Sequence, residues 1–161
     1  MMLMVVTSCS GVKMEEVVLD DCVKIPAQSL DFSIKDYSDE DGEDYNLECI
    51  VIVESLKELS WMASVTMHLY DKDDVELIYL KDSDLPKQGE KKKCDFGLTL
   101  GNGDKSKKEL QEIVSQTKYV KFAGENLLGF DNEWNDTDNV GNSMKDFMYK
   151  VEKELNIVCD N

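Results

Sequence analysis

The feature that most constrains this chain is a period of two in its apolar residues, renewed in run after run between Leu30 and Leu100. "LDFSIK" sets Leu30, Phe32 and Ile34 on one side. "YNLECIVIVES" sets Leu47, Cys49, Val51 and Val53 on one face, with Ile50 and Ile52 opposite. "ASVTMHLYD" alternates Val65, Met67 and Leu69 with Thr66, His68 and Tyr70. In "DVELIYLKD", Val75, Leu77 and Tyr79 face one way, and in "CDFGLTL", Cys94, Phe96, Leu98 and Leu100 do. Successive side chains of a strand point to opposite faces, so this alternation predicts half-buried antiparallel strands. "DEDGED", "DKDD", "DLPKQGE" and "GNGDKS" supply the turn chemistry between the runs. Short strands at this spacing predict a β-sandwich.

Two segments leave the rhythm. "SKKELQEIVSQ" places Leu110, Ile113 and Val114 at helical spacing behind Ser106, a capping residue. "KYVKFAG" then reads as a last strand, and "ENLLGFDNEWNDTDNVGN" as a polar loop. In "SMKDFMYKVEKELNIV", Met144, Phe147, Met148, Val151 and Leu155 share one helical face, and Ser143 with Asp146 resembles a capping box. The expected fold class is therefore mainly β, an antiparallel sandwich with a short inserted helix and a C-terminal amphipathic helix packed on it.

Charge narrows the partners. The chain of 161 residues carries a formal net charge of −16, and all 18 of its basic residues are lysine. Nucleic-acid binding draws on a positive footprint, commonly with arginine forks for phosphate and guanine. Neither is present, so no nucleic-acid partner is expected, and direct adhesion to anionic headgroups is equally disfavoured. The acid excess reads as a solvated surface that keeps molecules apart. No apolar run approaches the ~18 residues of a spanning helix.

The first residues, "MMLMVVTSCSG", are apolar and then small before Cys9. They resemble the end of a bacterial lipoprotein signal peptide, with Val6, Thr7 and Ser8 in the lipobox places before the cysteine and Ser10-Gly11 after it. Val6 stands where leucine is usual, no positive residue precedes the apolar run, and the run is short. The resemblance implies that Cys9 is the lipidation site. Its thiol would form a thioether to a diacylglycerol, and the freed amine would accept a further acyl chain, which together anchor firmly. Glu15-Glu16 and Asp20-Asp21 are similar to acidic export signals of some Bacteroidota lipoproteins. The expected organisation is a partial signal peptide at 1–8, the lipidated cysteine with an acidic tether at 9–28, the sandwich at 29–124, and the loop with the closing helix at 125–161.

The run from Val65 to Leu100 resembles the small immunoglobulin-like sandwich of bacterial lipoproteins called the FxLYD type. Leu69, Tyr70 and Asp71 supply the strand-ending triplet, and Pro86 and Gly89 the later turn. Met67 replaces the aromatic of the pattern, and Asp74 stands where glycine is common. That family implies no catalytic residues.

Other residues form constellations with a chemistry of their own. Cys49 and Cys94 lie on apolar strand faces with Trp61 between them, which resembles the immunoglobulin Cys…Trp…Cys pin. They are a possible disulfide, with free buried thiols as the alternative. Cys22 and Cys159, near opposite ends, are a further possible pair. The stretch "YSDEDGEDYNLE" offers Asp39, Asp41, Glu43 and Glu48 as possible calcium ligands. Aligned on Gly42, Asp39, Asp41 and Glu48 fall at the third, fifth and twelfth ligand places of an EF-hand, but Tyr37 falls at the first. A mobile acidic hairpin loop is the alternative. His68, the one histidine, is expected at a surface or edge without a triad around it. No cofactor is expected apart from that possible calcium. The expected role is non-catalytic binding or scaffolding at the bacterial cell envelope, with lipid engaged through Cys9 and an envelope protein or glycan as partner. A calcium-dependent or carbohydrate-binding module, using exposed Trp61 and Trp134, is the second expectation, and a hydrolytic enzyme the third.

Overall fold

Residues 45–55 carry the longest alternation in the sequence, and they form the longest strand. The computed structural model describes residues 12–98, 104–128 and 150–156. In chain order these form β1 (Val12–Met14), β2 (Val17–Leu19), β3 (Val23–Ile25), β4 (Gln28–Leu30), β5 (Phe32–Asp36), β6 (Tyr45–Ser55), β7 (Ser64–Tyr70), β8 (Glu76–Asp82), β9 (Lys91–Leu98), α1 (Lys107–Gln116), β10 (Tyr119–Glu125) and β11 (Lys150–Asn156). The protein is mainly β, as its alternation predicts.

The strands run in the order β11-β10-β7-β8-β9-β6-β3-β2, and β5 also pairs with β6. All of these pairs are antiparallel. The sheet turns a corner at β9. Only Leu98 and Gly97 pair with β8, whereas Phe96 back to Lys91 pairs with β6. Two packed halves result, and Phe96 of one meets Phe122 of the other edge to face, with ring centroids 6.2 Å apart. Around them lie Leu47, Val51, Val53, Val65, Met67, Leu69, Leu80 and Val120, all fully buried. β2 also lies beside β10 and β11, so the sandwich curls toward a barrel.

The helix is as read. Ser106 accepts a hydrogen bond from the Glu109 amide as N-cap, and Leu110 is buried on the core side.

Three expectations need correction. The stretch expected as a tether is built into the fold from Val12 onward. Leu19, Cys22, Val23, Ile25 and Leu30 are fully buried there, because short apolar pairs interrupted by Asp20-Asp21 suit a tight hairpin. Both aspartates take positive φ (48° and 55°), which Asp tolerates better than most residues. Between β3 and β5 the Gln28 side chain acts as a piece of strand, accepting from the Ile52 amide (2.8 Å) and donating to the Ile52 carbonyl (3.0 Å).

The phase of β8 is the second correction. Ile78 and Leu80 point inward, while Tyr79 is outward and Val75 is exposed. Both faces of "VELIYL" are apolar, so alternation alone does not choose, and the pairing of Ile78 with Leu69 and of Leu80 with Met67 sets the phase. The third concerns the closing segment. Lys150–Asn156 is strand β11 on β10, not helix. Val151 and Leu155 are four apart, a spacing that both periods allow, and they pair with Gly124 and Val120. An open β10 edge is satisfied by a strand's backbone and not by a helix's. The rest of that expected helix, Met144, Phe147 and Met148 included, lies outside the described residues.

Candidate functional site

Two connections cross between the halves at one end of the sandwich, residues 56–63 and 83–90. Between them lies a cleft of about 520 Å³, lined by residues that include Glu58, Ser60, Trp61, Asp84, Lys87 and Gln88. Leu59 and Leu85 are half-buried against the core and form its apolar base.

Both walls are pinned. Ser55, the last residue of β6, is fully buried and serves the 83–90 connection three times. Its hydroxyl donates to the Pro86 carbonyl (2.7 Å), its amide donates to Glu90 O (3.2 Å), and its carbonyl accepts from the Gly89 amide (2.8 Å). Gly89 turns there with φ +81°, a conformation that glycine takes without steric cost. Lys92 holds Asp84 from below, with Nζ 2.5 Å from Oδ2 and 2.9 Å from the backbone carbonyl. The other wall is a turn. The Ser60 carbonyl accepts from the Ala63 amide (3.0 Å), and the Ser60 hydroxyl from the Met62 amide (3.1 Å). The Ser60 amide donates to the Leu127 carbonyl (2.9 Å). Leu127 is itself packed on Gly124, where an added Cβ would come within 2.4 Å of Leu127 Cδ1.

On this turn Trp61 is 89% exposed. An indole usually hides most of its area and satisfies its N–H. Here the fold presents it at the rim of a cleft whose walls are already in place.

The outer face of β7 holds a different arrangement. His68 Nε2 is 2.8 Å from Thr66 Oγ1, and His68 Nδ1 contacts Glu76 Oε1. The His68 ring stacks on Tyr79 at 5.5 Å, and Tyr70 stacks on Tyr119 at 5.1 Å beneath Lys121. This is the bonding order of a nucleophile, a base and an orienting acid. His68 is thus buried (7% exposed) and bonded, not a surface residue. Access is what the array lacks among the described residues, since Thr66 is only 2% exposed and its hydroxyl also lies 3.4 Å from the Ala123 carbonyl. The hydroxyl has a partner in either histidine state. It donates to a neutral Nε2, or accepts from a protonated one and turns to Ala123.

The proposed calcium residues do not converge. Glu48 is 6% exposed on the outer face of β6, where Tyr37 Oη and Asn46 Nδ2 donate to its Oε2 at 2.7 and 2.9 Å. Asp39 Oδ1 accepts from the Asp41 amide and closes the loop turn, and Asp39, Asp41 and Glu43 are exposed. No group of three or more His, Cys, Asp or Glu among the described residues is placed to hold a metal ion. Loop carboxylates separate by repulsion, and Glu48 is drawn away by its own donors. Asp95 is the neighbour that feels Glu48. Burial, and then the Glu48 charge, push the Asp95 carboxyl up. Burial also pushes Glu48 up, but the bonds from Tyr37, Asn46 and Asp95 outweigh it and the net shift is down.

The cysteines do not form the expected pin. Cys22, Cys49 and Cys94 carry free thiols. Cys49 pairs with Phe96 and Cys94 with Val51, so the two cysteines sit diagonally on neighbouring strands of one half. A diagonal pair is about 7–8 Å apart, beyond disulfide reach without backbone movement. Burial pushes both thiols up to about 12, so they stay protonated. Cys9, Trp134 and Cys159 lie outside the described residues.

Trp61 was legible as a candidate. Ser55 and Gly124, which fix the cleft, were not, and neither was the contact of the Glu76 carboxylate with His68. A hairpin turn at Asp71–Asp74 brings Glu76 beside Tyr70, and that register was the one available signal. Comparison with protein-family models, with curated proteins and with solved structures gives no match.

Proposed function

We propose that this chain is a cell-envelope lipoprotein, anchored by acyl chains on Cys9, whose sandwich is a non-catalytic binding domain with the Trp61 cleft as its binding site. The observation that carries the reading is an indole 89% exposed over a cleft pinned on both walls. Rigid walls lower the ordering cost of association. A tryptophan already in water adds a large contact area at small conformational cost. Anchoring rests on the apolar-then-small residues before Cys9. The sandwich is, on this reading, immunoglobulin-like and of the FxLYD type. Leu69-Tyr70-Asp71 ends β7 at a tight turn, and the Pro86/Gly89 turn leads into β9, in support.

Two measurements test it. A full-length chain expressed in the source bacterium should incorporate alkyne-palmitate, and Cys9→Ser should abolish the label. Label retained by Cys9→Ser contradicts the anchor. Unlipidated full-length Cys9→Ser protein should also sediment with isolated envelopes, and Trp61→Ala should weaken this by about tenfold or more, as loss of a central aromatic contact does. Equal sedimentation of both proteins contradicts the cleft.

A further inference from the structure

We infer that the ligand of the Trp61 cleft is an uncharged glycan, a polymer of neutral pyranose units; this rests on the cleft being the binding site. The lining divides into two chemistries. One flat aromatic face stands beside Glu58, Ser60, Ser83, Asp84, Lys87 and Gln88, above a small leucine base. A protein hot spot asks for several clustered apolar anchors in a desolvated pocket. This cleft offers one aromatic ring and a rim of short polar groups. A pyranose matches that division. Its axial C–H bonds form a weakly positive apolar face that suits the negative face of an indole. Its equatorial hydroxyls both donate and accept, and the carboxylates, the serine hydroxyls and the Gln88 amide answer them.

Charge argues against an anionic ligand and leaves a cationic one a single carboxylate. The whole chain is strongly acidic, at −16. The cleft is not, because Lys87 stands among its carboxylates and Lys92 is ion-paired to Asp84. An anionic polymer would meet Glu58 and Asp84, and the protein's overall field would repel it. A cationic ligand would find the Asp84 carboxylate already paired with Lys92, leaving Glu58 to hold it against the nearby Lys87 charge. Size agrees as well. A volume of about 520 Å³ falls within the range of small-molecule clefts, roughly 300–1,000 Å³, room for one or a few sugar rings of a longer chain.

The test uses full-length Cys9→Ser protein and envelopes of the source bacterium, untreated, digested with proteinase, or oxidised with periodate, which cleaves the vicinal diols of sugars. Trp61-dependent sedimentation should survive proteinase and fall by about tenfold or more after periodate, the loss that removing a dominant contact gives. Raising NaCl from about 0.05 to about 0.5 M should change the affinity by less than about twofold, because uncharged contacts are not screened. Trp61→Phe should restore part of the binding, since it keeps an aromatic face. Binding that survives periodate and is lost with proteinase overturns the glycan and leaves the binding domain standing, with a protein as its partner. A salt-dependent fall of about tenfold overturns the neutral ligand. Untreated envelopes that never show Trp61-dependent binding overturn the binding domain itself. Trp61 is 89% exposed, so Trp61→Ala should melt as the parent does.

Discussion

The outer face of β7 and the cleft at the end of β6 are opposites. At β7, Thr66, His68 and Glu76 stand in the bonding order of a catalytic triad, yet Thr66 and His68 are buried beneath aromatic neighbours. At the cleft the approach is open and both walls are hydrogen-bonded in place, and the lining offers the carboxylates of Glu58 and Asp84, the hydroxyls of Ser60 and Ser83 and the Lys87 ammonium, with no histidine among them. One region has a hydrogen-bonded array without an approach, and the other has an approach without such an array among the described residues. Hydrogen-bond order by itself therefore says little about catalysis, because a buried polar residue must find such partners merely to be buried.

The contrast breaks most sharply through His68 and Trp61. His68→Ala should cost about 2–4 kcal/mol, since it leaves a cavity and strips Thr66 and Glu76 of their partner. Urea unfolding checks this, and envelope binding just below the transition should be kept. Trp61→Ala should do the reverse, changing stability by less than about 0.5 kcal/mol while removing binding. If His68→Ala proved neutral in stability but lost a function, the β7 face would be an active site and the contrast would fail.

Next in size is Gly124→Ala. The new methyl would collide with Leu127 and cost about 1–3 kcal/mol. Because the Leu127 carbonyl holds the Ser60 amide, binding should weaken with it. Ser55→Ala should cost about 1–2 kcal/mol by removing the one described donor to the Pro86 carbonyl. Its effect on binding should exceed its effect on the melting of the β7 face, which hydrogen exchange would separate.

The smallest expected effect concerns Asp95. Its folded carboxyl is raised, so it favours the neutral form, and its contribution declines as pH rises through the folded value. Asp95→Asn should therefore stabilise at pH 7, by less than about 0.5 kcal/mol given its exposure, and the gain should vanish near pH 3, where Asp95 is protonated in both states. Glu48 runs the other way. Its folded carboxyl is lowered, so its contribution is present above the unfolded value and is lost as pH falls through the folded one. A stability profile of Asp95→Asn against the parent reads the first sign, and Glu48→Gln, destabilised at pH 7, the second.

How much was legible follows from what periodicity encodes. β6 reads correctly because Leu47, Cys49, Val51 and Val53 are buried while Ile50 and Ile52 between them are exposed. β8 misleads because Leu77 and Tyr79 compete with Ile78 and Leu80, and only its partner strand decides. Val151 and Leu155 fit two periods at once, and the bare edge of β10 decides between them. The β1–β4 segment carries too few apolar residues per run to declare itself. As for the cleft, Trp61 stands out in any sequence, but Ser55 looks like the polar end of a strand until Pro86 and Gly89 are seen against it. Long-range pairing is the part that local pattern does not hold.

The most direct measurement follows the emission of Trp61 itself, in full-length protein carrying Cys9→Ser and Trp134→Phe, as isolated envelopes are added. The emission should shift to the blue and saturate as the indole leaves water. Protein that sediments with the envelopes while its emission stays unchanged would mean that another surface binds, and would contradict the cleft as the binding site.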